Sequence, residues 1–172
     1  MEVYHCIRTR ITVREFKPDP IPNAVITKML RAARWTPSAR NRQPWHFIVI
    51  RSPDTLAQIG RIASSGSFIG RAPLSIAVAM DNANRPELDA GRALQQMELV
   101  AWAEGVGGCF AGIRGEENRK VKELLQVPEG MELITVMAFG YPTEGARSRG
   151  KRRKPLSEIS HVERFGRRYL AE

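Results

Sequence analysis

The chain has 172 residues, 42% hydrophobic and 26% charged, which excludes a disordered polypeptide and allows one domain, residues 1–172, with a sizeable core. It has no long apolar run of the kind a membrane-spanning helix needs, its first residues lack the regions of a signal peptide, and its only cysteines, Cys6 and Cys109, stand far apart, so a cytoplasmic chain with reduced thiols is expected. The net charge of +9 owes six positive charges to residues 147–154, without which it would be +3, so the excess is one local cluster and a broad nucleic-acid face is disfavoured.

In chain order, residues 2–9 predict a short helix leading into Arg10-Ile11-Thr12-Val13-Arg14-Glu15-Phe16, with Pro18 and Pro20 breaking the chain beyond. A helix opens at Pro22-Asn23, with Ile26, Met29, Leu30 and Ala33 on one face, and ends before Pro37. Trp45–Ile50 reads as a buried strand. A helix from Pro53 carries Leu56, Ile59 and Ile62, and the loop Ser64–Ser67 follows. Leu74–Met80 is a second buried strand. Pro86–Glu104 is the longest helix, apolar enough to be central, and Gly105 suits its C-terminal cap. Gly105–Gly112 reads as a glycine-rich segment, in which Gly107-Gly108 can form a tight turn. Glu116–Leu125 is an amphipathic helix, Leu133–Phe139 a third strand, and residues 143–172 a basic, less regular extension. The alternation predicts an α+β or α/β layer around a small sheet. No glycine-rich turn follows the first strand, which argues against a dinucleotide-binding crossover there.

Pro37-Ser38-Ala39-Arg40-Asn41-Arg42-Gln43-Pro44-Trp45 packs prolines, a hydroxyl and amides into one stiff loop, suited to a fixed, flat, polar-edged ligand. Arg10, Thr12 and Arg14 alternate, so an extended backbone turns them to one side, where two guanidiniums and a hydroxyl can hold a phosphate. Lys151 and Arg153, again two apart, can supply a second phosphate clamp. Gly105–Gly112 can bring bare backbone N–H groups against a ring. These features describe a planar cofactor on a phosphorylated, hydroxylated chain, as FMN is.

On these stretches, together with Asp89-Ala90-Gly91, Gly140-Tyr141-Pro142 and Lys151-Arg152-Arg153-Lys154-Pro155-Leu156, the chain resembles the FMN-dependent nitroreductase family in its short form. The resemblance implies an α+β sandwich with a mostly antiparallel central sheet flanked by helices, in an intertwined homodimer. Arg10 would bind the FMN phosphate, Thr12 the phosphate or ribityl chain, and Arg14 the flavin N1–O2 edge or the ribityl hydroxyls. Ile11 belongs to the same segment, at a position where the family often carries a polar residue. Pro37, Ser38, Ala39, Asn41 and Gln43 would cover the cofactor of the other subunit, Ala39 replacing a frequent serine. A backbone N–H at Ala111 or Gly112 would face flavin N5, and Lys151 and Arg153 would complete the phosphate site, so that residues 143–172 serve both phosphate site and dimer. The implied activity is ping-pong hydride transfer from NADH or NADPH through flavin N5 to a nitroaromatic, quinone or related small oxidant, with no side-chain nucleophile and no metal. The larger members' excursion after the long helix is missing, which implies an open pocket. Two other readings stand beside this one: a flavin-binding sensor or carrier without turnover, and a basic nucleic-acid-binding module using residues 147–154.

Overall fold

The computed structural model describes residues 2–81, 83–147 and 151–169. Helix α1 (Val3–Thr9) is started by the Glu2 carboxylate, which accepts the N–H groups of Tyr4 at 2.8 Å and His5 at 2.9 Å. α2 (Asn23–Arg34) buries Ile26, Met29 and Ala33, as its spacing predicts. β1 (Trp45–Ile50) leads to α3 (Pro53–Ile62), whose first turn holds Pro53 and is capped by Ser52. A 3-10 turn at Ser67–Arg71 precedes β2 (Leu74–Asp81), and α4 (Pro86–Ala103) is the longest helix. β3 (Gly107–Ala111), α5 (Gly115–Leu124) and β4 (Met131–Gly140) follow, then the short helices α6 (Glu144–Arg147) and α7 (Leu156–Ile159).

The sheet has the order β1-β2-β4-β3, each neighbouring pair antiparallel. Side chains alternate between its faces. Ile76, Val78, Met80, Met137 and Phe139 pack with α2 and α4 on one side. Ala77, Val136, Ala138, Cys109 and Ala111 pack with α3, α5 and the 67–71 turn on the other. The result is a sandwich with a helical layer on each face. Val78 pairs with Thr135 but Ala79 pairs with Leu133, leaving Ile134 as a bulge in β4.

Two expectations are corrected. Gly107–Ala111 is a strand rather than a tight turn: its glycines let it lie close against β4. β1 is buried only at Trp45 and Ile50, because it is an edge strand with one neighbour, and His46 and Val49 remain exposed. Among the described residues no helix is long and apolar enough to cross a membrane.

Gly105 ends α4 with φ +80°, its N–H reaching Trp102 O at 3.0 Å while the Val106 N–H reaches Ala101 O at 2.9 Å. This double closure needs the left-handed region, where a Cβ is penalised. Gly105→Ala should therefore lower unfolding free energy by about 1–2 kcal/mol, read as a lower urea midpoint at unchanged slope.

Candidate functional site

The segment after α1 runs along the outer edge of β3. The Val13 N–H donates to Gly108 O at 3.0 Å, Thr12 bridges Gly108 in parallel, and Phe16 bridges Pro142. Val13 is fully buried, so its neighbours Thr12 and Arg14 point outward on the same side, as alternation requires. Ile11 is half-buried. Arg10 pairs with Glu98 of α4 at 3.0 Å. Lys151 donates to the carbonyls of Arg8 at 2.6 Å and Ile7 at 3.3 Å, placing its ammonium at the C-terminal end of α1. Burial holds the Lys151 ammonium below the usual lysine range, and the neighbouring Arg10 and Arg153 guanidiniums push it the same way. Burial pushes the Glu98 carboxyl up, against the pull of Arg10 and, more weakly, Lys151. Glu98 is drawn to Arg10 and Lys151, and Lys151 in turn feels Arg153, so the four groups form one electrostatic chain. The rest of the basic cluster falls partly outside the described residues, at 148–150.

At the far end of β3 the backbone itself becomes the functional surface. Gly108 turns its carbonyl to Val13, so the two-residue period of an antiparallel edge turns the polar groups of Phe110 and the N–H of Gly112 outward as well. The Gly112 N–H has no hydrogen-bond partner among the described residues. A Cβ at Gly112 would meet only Ser65 Oγ, at 3.6 Å, so nothing within the chain crowds this position. Beside it opens a cleft of about 830 Å³, lined by Gly91 and Leu94 of α4, Phe110, Gly112, Arg114 and Asn118 among others. Phe110 is 63% exposed there. The Arg14 guanidinium lies 5.9 Å from the centre of the Phe68 ring. Burial raises the Cys109 thiol above the usual range, with Arg14 opposing, so Cys109 stays a neutral, buried thiol.

The loop from Pro37 to Trp45 meets the start of α4 at Asp89. Pro37, Ala39, Asn41 and Gln43 are exposed and Ser38 half-buried. Ser38 Oγ accepts the Gln43 N–H at 2.9 Å, Ala39 N–H reaches the buried Asp89 at 3.4 Å, and Thr36 donates to Gln96 at 2.8 Å. Arg40, Asn41 and Gln43 hold φ of 54°, 54° and 51°, three non-glycine residues in the left-handed region within four positions. Such strain costs roughly 1 kcal/mol or more per residue and concentrates at functional loops. Among the described residues no hydrogen bond joins this loop to Arg10, Thr12, Arg14, Lys151, Arg153 or Gly112.

Glu98, Thr135, Ser65 and Phe68 were not singled out from the sequence. Each is an ordinary residue within a helix, strand or loop, and only the fold brings it to the site. No group of histidine, cysteine and acidic residues among those described could hold a metal ion.

The sequence model of the nitroreductase family matches residues 7–85 and 63–141. A protein of Methanothermobacter thermautotrophicus, provisionally named an NADH dehydrogenase/NAD(P)H nitroreductase, is 31% identical over 156 residues, spanning 87% of this chain and 82% of that protein. Among solved structures, one from Bacteroides thetaiotaomicron under the same provisional name superposes with a TM-score of 0.88 at 23% identity, covering 95% of this chain and 98% of its own. An FMN-dependent nitroreductase of Clostridium difficile superposes with a TM-score of 0.83, also at 23% identity, covering 93% and 98%.

Proposed function

We propose a function from this premise: the chain belongs to the nitroreductase family. The reading is a homodimeric, FMN-dependent oxidoreductase that takes hydride from NADH or NADPH and passes it to a small oxidant such as a nitroaromatic or a quinone. The observation that carries it is the basic unit at Arg10, Lys151 and Arg153, whose three positive charges outnumber the single carboxylate of Glu98 by two. That excess fits a phosphate monoester dianion. Gly112 supplies the second element of fit, an outward N–H beside open space, which suits close approach of a flat ring.

When bound, FMN would supply two-electron chemistry at its N5 atom. The chain's part is to bind and orient. Arg10, Lys151 and Arg153 hold the phosphate, and Thr12 reaches the phosphate or the ribityl chain. Arg14 places positive charge at the N1–O2 edge, where negative charge gathers on reduction. Ile11 packs within the same segment, and the N–H at Ala111–Gly112 faces N5. Pro37, Ser38, Ala39, Asn41 and Gln43 would each complete the site of the other subunit in the dimer. The strained, outward-facing loop supports that arrangement, and so do the exposed apolar residues Val3, Tyr4 and Ile7 of α1 and Trp35, at 78% exposure. Beside α1 lies an apolar groove of about 320 Å³ lined by Val3, Cys6, Leu99 and Val100, a surface for a second copy. In this reading residues 1–172 form one flavin-binding unit in the cytoplasm, with residues 143–172 extending it toward phosphate and partner.

Purified protein should be yellow, release FMN on heat denaturation, and lose its visible absorbance on anaerobic mixing with NADH or NADPH. Raising salt should weaken FMN binding while leaving riboflavin, which lacks the phosphate, nearly unaffected. Colourless protein that takes up no added FMN overturns the reading. FMN that neither nicotinamide reduces would replace the enzyme with a carrier.

A further inference from the structure

The carbonyls on either side of the Gly112 N–H are held by groups on two other elements. Thr135 of β4, 5% exposed, donates from Oγ1 to the Ala111 carbonyl at 2.8 Å. The Ile113 N–H donates to that same carbonyl at 3.0 Å, closing a three-residue turn with Gly112 at its apex. On the outer side Ser65, from the loop after α3, donates from Oγ to the Gly112 carbonyl at 3.2 Å. Both carbonyls flanking the apex are therefore tethered, while the N–H between them is left open.

A trans peptide carries its C=O and N–H on opposite sides. Holding the Ala111 carbonyl inward against Thr135 thus fixes the Gly112 N–H outward, because the two belong to one rigid plane. Glycine at the apex makes such a tether necessary: without a side chain, the peptide planes on either side of it rotate at little cost. The bulge at Ile134 sets the local register of β4 next to Thr135, at the end of the β3 ladder. We infer that Thr135 is a positioning residue, with Ser65 as its outer counterpart, and that its buried hydroxyl locks the Ala111–Gly112 peptide so that the N–H stays aimed at the N5 atom of the flavin. This rests on the flavin reading above, and it adds residues on β4 and on the 64–66 loop to those that determine how the cofactor is held.

The test compares the dissociation constants of FMN and 5-deaza-FMN, in which a C–H replaces N5 and the hydrogen bond to it is lost. Wild-type protein should favour FMN by about fivefold, the scale of one net hydrogen bond. Thr135→Val should bring the ratio to about one, and Thr135→Ser, which keeps the hydroxyl, should restore it. A purely structural threonine would change melting temperature or both constants together and leave their ratio alone. A wild-type ratio of one, or a Thr135→Val ratio equal to wild type, overturns the inference while the flavin reading stands. Binding of neither flavin brings down the flavin reading itself. Should Thr135→Val fail to fold, Thr135→Ala, which also removes the hydroxyl, carries the test: a lowered ratio supports the lock and an unchanged one overturns it.

Discussion

Replacing Arg10 and Arg153 together by alanine should weaken FMN binding by about 3–6 kcal/mol, roughly a hundredfold to ten-thousandfold, measured by quenching of flavin fluorescence. Each guanidinium would contribute charge-assisted hydrogen bonds worth about 1.5–3 kcal/mol to a phosphate that has given up water. Riboflavin affinity should barely change, since its ring and hydroxyls would meet other residues. Equal losses for both flavins would mean that the variant had damaged the fold rather than a phosphate site, and retention of FMN at wild-type affinity would remove both arginines from the site. Arg10 has a second task that the double variant exposes, because it is the ion-pair partner of Glu98. Burial already raises the Glu98 carboxyl above its ordinary value of 4.5, and Arg10 is the main group opposing that rise. Between the ordinary and the raised value the folded state holds a proton that the unfolded state has released, so stability falls as pH rises through that window. Without Arg10 the window extends upward. The melting temperature of Arg10→Ala should then fall more steeply than wild type as pH rises above 4.5. Adding Glu98→Gln should flatten that slope.

The parts of this molecule that were legible in the sequence are those written in local chemistry. β1 begins and ends where its apolar run does, and α2, α3 and α4 begin at Pro22-Asn23, Pro53 and Pro86 because proline presets the first turn. The placing of Thr12 and Arg14 on either side of the buried Val13 follows directly from an extended backbone. What local pattern could not reach is pairing across the chain. Gly107-Gly108 looks like a turn to any reading based on propensity, since glycine is depleted in strands. It becomes a strand because β4 and the 12–13 segment lie on either side of it. Glu98 carries no sign that it faces Arg10, 88 residues earlier, and Thr135 none that its hydroxyl meets Ala111. The same limit applies to the Pro37–Trp45 loop. Its stiffness is visible in two prolines, but three left-handed residues between them are a property of the folded backbone.

Gly108 shows how closely the site depends on that unexpected strand, and Gly108→Val should cost about 3 kcal/mol, the upper end of what overpacking usually costs, with flavin retention falling alongside. A Cβ at this position would stand 2.8 Å from the backbone oxygen of Ala138 and 2.9 Å from both Met137 and Phe139. Side-chain ends can move aside, but the carbonyl of Ala138 belongs to β4, at the centre of the sheet. The strain must therefore go into separating β3 from β4. Gly108 is also where Val13 and Thr12 attach, so any such shift carries the Arg10–Arg14 segment with it and loosens the edge that presents Gly112. Gly91→Ala provides the contrast. It lines the cleft, but a Cβ there meets nothing within 4 Å, and alanine is the better helix former by about 1 kcal/mol. Urea denaturation should place Gly108→Val well below wild type and Gly91→Ala at or above it. If Gly108→Val were as stable as wild type and kept its flavin, the close approach of β3 to β4 would not be what holds the Arg10–Arg14 segment and the Gly112 edge in one site.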